Sequence, residues 1–209
     1  MRRFGWAVMA VLAVLIGVYA LAAVALPAIA APFLKDRFRT IPLAAYTHLA
    51  AAGIALLVGP LQHNSRLRGR FLNVHRWLGR TYVVAVMLGG TAGLVLATMS
   101  EGGMTAHLGF GLLAVLWLLM TGTAYVRIRA KDQAAHRHWM TRSFALTYAA
   151  VMLRIYLPLS AALGIPFETA YPIIAWIAWV PNLIVAEWLI QRRRPPKVAS
   201  LDARSAAAA

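Results

Sequence analysis

Residues 77–99 read WLGRTYVVAVMLGGTAGLVLATM. Arg80 is the one charge in this stretch, and the run after it is uncharged to its end. A helix rising 1.5 Å per residue needs about 20 such residues to cross a hydrocarbon layer roughly 30 Å thick. Five further runs have the same character, at 4–26, 41–61, 105–126, 139–163 and 170–190. Backbone groups in lipid must find partners within their own segment or in a closed barrel, and none of the runs alternates apolar with polar residues as barrel strands do. The spacing therefore predicts an all-α integral membrane protein with six transmembrane helices, helices two to five forming a four-helix core bundle. Pro27, Pro42 and Pro60 fall at span ends, where first and last turns tolerate them. Pro158 and Pro181 fall inside spans and predict kinks in helices five and six.

Composition agrees with the spans. Of 209 residues, 61% are hydrophobic and 13% charged, whereas a soluble domain carries about 25% charged residues. There is no Cys, which excludes disulfides, thiolate-held zinc, iron–sulfur clusters and thiol catalysis and leaves histidine as the nitrogen donor for a metal. The net charge of +15 invites a nucleic-acid reading, but the basic residues sit between apolar runs instead of covering one soluble face. They read as topology. With the N-terminus inside, Arg2 and Arg3, the arginines of 66–80, the basic residues of 127–142 and those of 192–204 all lie on the cytoplasmic side, which is 17 of 21. Lys35, Arg37 and Arg39 lie outside and Arg154 within helix five. The bias predicts an N-in, C-in arrangement.

The first run has a rival reading, since Met-Arg-Arg followed by an apolar stretch and then PAIAA at 27–31 has the order of a cleaved signal peptide. Its length exceeds the 7–15 residues of an h-region, and a retained helix is expected. Residues 1–190 form one transmembrane domain. Residues 191–209, with RRRPPK at 192–197, are expected to be a basic, disordered cytoplasmic tail near anionic headgroups.

Ionisable residues inside apolar helices are costly and mark candidate sites. His48 lies seven residues into helix two, about 10 Å deep, and His107 stands at the outer end of helix four. His63, His75, His136 and His138 fall at the cytoplasmic ends of their spans. The histidines thus divide between two membrane levels. Two imidazoles from facing helices can supply both axial ligands of a haem iron. Gly79 and Gly111 lie four residues after His75 and His107, and Ala52 four after His48, each on its histidine's own side. A macrocycle needs such space, although the same small residues, like Gly89 and Gly93, also let helices pack closely. Propionates favour arginine forks. Arg154 lies near the outer level and requires an anionic partner, whether a propionate, a bound substrate or Glu168. Arg80 and Arg142 lie near the inner level, where they either meet propionates or snorkel into headgroups. The arginines that follow it account for Glu187.

The segments VHRWLGRTY (74–82), HRHWMTRSFALT (136–147) and LRIYLP (153–158) resemble the DUF2306 family of bacterial membrane proteins over residues 40–160. That family has no established activity, but the arrangement of helices and histidines is also similar to cytochrome b561. The resemblance implies one or two b-type haems, the outer held by His48 and His107 and the inner by His75 and His136, with Arg154, Arg80 and Arg142 around them. His138 stays open as the alternative to His136, since the two point about 200° apart on one helix. Electrons would then pass across or within the inner membrane of a bacterial cell, between an unknown donor and acceptor; a quinone or a small reductant is compatible with either role. As partners the sequence suggests the lipid bilayer, no nucleic acid, and leaves a homodimer open.

Two other readings stand beside this one: a cofactor-free transporter or proton-coupled protein using His48, His107 and Arg154, and an assembly partner of a membrane complex. The repeated His-Arg at 75–76 and 136–137 precedes two helices of the same direction, which is a parallel echo and not the inverted repeat of many transporters. No nucleophile, base and carboxylate cluster marks a hydrolase. If the protein is an enzyme, it is a transmembrane oxidoreductase.

Overall fold

The computed structural model describes residues 2–192, and the expected basic tail lies outside the described residues from position 193 on. The described chain is helical, with no strand. Helix α1 (Arg2–Ala25) leads through a short 3-10 turn to the brief amphipathic helix α2 (Pro32–Thr40) and then to α3 (Pro42–Gln62). The six-residue helix α4 (Ser65–Arg70) precedes the two longest helices, α5 (Leu72–Thr98) and α6 (Gly103–Arg129). Four shorter helices complete the chain as two pairs: α7 (Gln133–Thr147) with α8 (Ala149–Ala162), and α9 (Phe167–Ile177) with α10 (Val180–Gln191). Counted as α1, α3, α5, α6, α7 with α8, and α9 with α10, six segments are long and apolar enough to cross a membrane.

Two helix starts differ from the apolar runs. Helix α5 begins at Leu72 and α7 at Gln133, each about five residues earlier than its run, because polar first turns still form intrahelical bonds. His75 donates its backbone N–H to Phe71 O at 3.0 Å and His136 to Asp132 O at 3.0 Å. Both histidines therefore ride on helices and not on flanking loops. The side chain of Asp132 caps α7 by accepting from Ala135 N at 2.9 Å, as an N-cap aspartate does.

The breaks have local causes. Pro181, in the first turn of α10, lacks the N–H that would continue α9, and the helix parts at Ala178 and Trp179. The fifth span is interrupted at Tyr148, ten residues before Pro158, and runs on through that proline. Thr147 Oγ1 donates to Ser143 O at 3.0 Å, and side-chain bonding to the i−4 carbonyl bends helices. Gly102, between α5 and α6, has φ +84, and a Cβ there would meet Pro172 Cγ at 2.6 Å. Only glycine satisfies both demands.

Helices α3, α5, α6 and α7 pack in sequence and close when α7 returns to α3, which makes the four-helix core. Helix α1 lies outside against α3 and touches α8; α9 lies against α6 and α8, and α10 against α7. Close packing uses small residues, as expected without a hydrophobic force between helices in lipid. A Cβ on Gly89 would stand 3.2 Å from Ala51 Cβ, and one on Gly53 3.2 Å from Ala20 Cβ. The centre of the bundle is filled by Leu56, Tyr82, Val86, Trp117, Phe144 and Val151.

Candidate functional site

A cavity of about 190 Å³ opens among α3, α5, α6, α8 and α9, with Arg37 of α2 on its wall. His48, Arg154, Tyr171, Trp117 and Thr147 supply most of its polar groups, and the rest of the wall mixes small residues such as Ala52, Gly90, Gly93 and Ala114 with leucines and Phe110. An apolar cavity of about 150 Å³ takes up a benzene, so this one has room for at least a flat ring.

His48 is oriented by the helix beside it. Its Nδ1 lies 2.8 Å from Gly89 O, and a carbonyl can only accept, so Nδ1 carries a proton and Nε2 is the nitrogen whose lone pair the neutral ring would offer. A Cβ on Gly93 would stand 3.1 Å from Nδ1 and 3.3 Å from Cε1. The Gly89 and Gly93 pair thus has divided duties: Gly89 admits α3, and Gly93 seats the imidazole.

Arg154 donates from Nη1 to Ala150 O at 2.9 Å and sits 5.8 Å from the centroid of the Tyr19 ring. Among the described residues no carboxylate lies within ion-pair distance of it. Glu168, one of the partners suggested by sequence, does not reach it. Arg37, by contrast, is neutralised by Glu101 at 3.3 Å and Asp36 at 3.7 Å. His107 takes another place. Its Nε2 donates to Ser100 O at 2.8 Å, tying the start of α6 to the loop after α5, and it is not among the residues lining the cavity, although Ser100 is.

The second level gathers around the starts of α5 and α7. His136 Nδ1 donates to Ala124 O of α6 at 2.9 Å, the same use of Nδ1 as at His48. His63 Nδ1 donates to Gly59 O at 3.1 Å, and its ring lies 5.0 Å from that of Phe144. His136 and His63 both lie close enough to act electrostatically on His75, so three helices bring imidazoles to one region. His75 Nδ1 is buried without a hydrogen-bond partner, as is Nε2 of Gln62. The neighbouring Gly79 is tight, since a Cβ there would meet Gln62 Oε1 at 3.3 Å.

The two inner arginines are engaged elsewhere. Arg142 binds Glu187 of α10 through both carboxylate oxygens, with Nη2 to Oε2 at 2.9 Å, and its guanidinium lies 4.6 Å from the Trp139 ring. Arg80 is exposed and lies 5.0 Å from the centroid of Trp77.

Between the levels runs a feature that the sequence did not disclose. Tyr82 OH lies 2.6 Å from Thr147 Oγ1 and 2.9 Å from Ser143 Oγ. Ser143 Oγ lies 2.6 Å from Thr121 Oγ1, and Trp117 Nε1 donates to Thr147 Oγ1 at 2.9 Å. All five residues are buried. The ends of the chain rest on carbonyls, Thr147 on Ser143 O and Thr121 on Trp117 O at 2.7 Å. Every hydroxyl proton can be placed in either of two senses. Thr121 can donate to Ser143, Ser143 to Tyr82 and Tyr82 to Thr147, or all three can reverse. The available signal was spacing: Tyr82 lies seven residues after His75 and seven before Gly89, so one stripe of α5 serves both levels and the hydroxyl chain between them.

A bundle of six apolar spans whose inward stripes carry imidazoles, an arginine and a hydroxyl chain is a multi-pass membrane protein with a site inside its core. Residues 45–190 match the DUF2306 family of predicted membrane proteins, and the chain belongs to that family. No curated protein and no solved structure matches the chain.

Proposed function

We propose that this protein is a b-type haem membrane protein of the bacterial inner membrane that carries electrons between the two faces of the bilayer. The observation that carries the reading is the placement of His48: an imidazole whose Nδ1–H is held by Gly89 O, on the wall of a mostly apolar cavity inside the bundle. Metal-bound histidines hold their other ring nitrogen in this way. A haem would supply a one-electron centre whose iron takes two axial imidazoles.

The residues suit that group in three respects. His48 offers a lone pair at the cavity. Arg154, with no carboxylate of its own, offers a charge for a propionate. At the inner level, His136 has the same tautomer as His48, and His75 has a buried ring nitrogen without a partner. The partner implied for His48 is His107, whose Nε2 proton is on Ser100 O, so ligation through Nε2 requires His107 to release that carbonyl. Measured along α5 from His75 to Gly89, the levels lie about 21 Å apart. A quinone or a small reductant fits as donor or acceptor.

A reduced-minus-oxidised absorption spectrum of the purified chain, produced with adequate haem, tests the reading. Paired b-type bands are expected, and their absence would overturn it. The hydroxyl chain favours a second reading, a proton-coupled membrane protein without a cofactor, because each hydroxyl in it can both donate and accept, as a proton path requires. A protein that lacks haem bands but moves protons when reconstituted would establish that reading instead.

A further inference from the structure

The start of α5 combines three features. The first is an uncompensated positive charge. Arg66, Arg68, Arg70, Arg76 and Arg80 surround it, no acidic residue occurs in the sequence between Asp36 and Glu101, and none of the five makes an ion pair among the described residues. The second is an open helix end. No side chain caps α5 at Phe71, its first turn holds no acidic residue, and the amides of residues 72–74 precede its first intrahelical bond, so this end attracts an anion. The third is shape: Asn73, Arg76, Trp77 and Arg80 line a surface hollow of about 180 Å³.

The same face continues into the bilayer as an apolar stripe. Trp77 is 66% exposed, Val84 58% and Leu88 54%, at the i, i+7 and i+11 spacing of one helix side. A free phosphate would use only the basic hollow, whereas an anionic phospholipid matches the hollow with its headgroup and the stripe with its acyl chains. The basic end is cytoplasmic by the positive-inside rule, and anionic lipid enriches that leaflet.

We propose that Asn73, Arg76 and Arg80 at the start of α5 bind the phosphate of an anionic phospholipid whose acyl chains lie along Trp77, Val84 and Leu88. Arg80 thus serves the outer face of the bundle and not its interior. The site is independent of whether haem is bound.

The test is native mass spectrometry of the full chain in detergent, titrated with phosphatidylglycerol or phosphatidylcholine, with and without excess inorganic phosphate. Phosphatidylglycerol should bind in preference, and excess phosphate should fail to displace it. At about fivefold per arginine, Arg76→Ala with Arg80→Ala should weaken that binding roughly 30-fold. Arg127→Ala, an exposed basic residue on another helix, should leave it unchanged. If the double variant elutes as aggregate, Arg80→Ala alone should show the fivefold loss. Equal binding of the two lipids, a variant that binds as well as the parent, or displacement by inorganic phosphate would each overturn the proposal.

Discussion

The two histidine levels share one device and differ in what surrounds it. At each, a ring donates Nδ1–H to a backbone carbonyl of an adjoining helix, His48 to Gly89 and His136 to Ala124. Around His48 the walls mix alanine and glycine with leucines and Phe110, and a cavity of about 190 Å³ is already open. Around His75 and His136 the space is filled, by Gln62 against Gly79 and by Phe144 against His63, and two buried nitrogens there, His75 Nδ1 and Gln62 Nε2, lack partners. A preformed cavity costs its lining contacts whether or not a ligand comes, while a buried orphan nitrogen costs hydrogen-bond energy until one does. The outer level holds room in reserve, and the inner level holds unmet valence.

If both levels carry haem, the contrast predicts unequal responses. His48→Ala should remove the outer centre altogether, read as the loss of one b-type component in a redox titration, with the inner component intact. His136→Ala should remove the inner component while His138→Ala leaves it; the opposite result would move the inner ligand to His138. Arg154→Leu should weaken outer haem binding by roughly tenfold to a hundredfold, the worth of a charged hydrogen bond of about 1.5–3 kcal/mol. The same change should hold or raise the thermal stability of the haem-free chain, because it removes a charge with no carboxylate partner. Loss of stability with unchanged haem affinity would make Arg154 a packing residue. Tyr82→Phe should cost about 1–3 kcal/mol in unfolding experiments, by leaving Thr147 and Ser143 short of a partner, and should leave the content of both haems unchanged. Gly93→Ala has the smallest expected effect, about 1 kcal/mol, the low end of what an added methyl costs in a packed site, seen as a modest loss of outer haem as the His48 ring shifts by a few tenths of an ångström.

Much of this was legible in one dimension. Lipid offers backbone groups no partners, so a spanning segment declares itself by length and apolarity alone, and six runs became six spans. The grouping of histidines into two levels followed from the 1.5 Å rise. Helix starts were less legible, because the first turns of α5 and α7 are polar, and only their backbone bonds show that His75 and His136 belong to helices.

What the sequence alone determined, then, is depth: which residues lie at which height in the bilayer, since height depends only on counting along a helix. Facing and partnership were decided by tertiary structure. Arg80 and Tyr82 are two residues apart, yet one faces outward over Trp77 and the other lies at the centre of the bundle. Arg142 was near the right height for an inner propionate, but α10 brings Glu187 to it. Thr121 and Thr147 bond to carbonyls of their own helices, as such residues commonly do, but packing also sets Ser143 and Thr147 against Tyr82. Rotation about each helix axis is fixed by neighbours that lie far away in the chain, and counting along one helix carries no information about them.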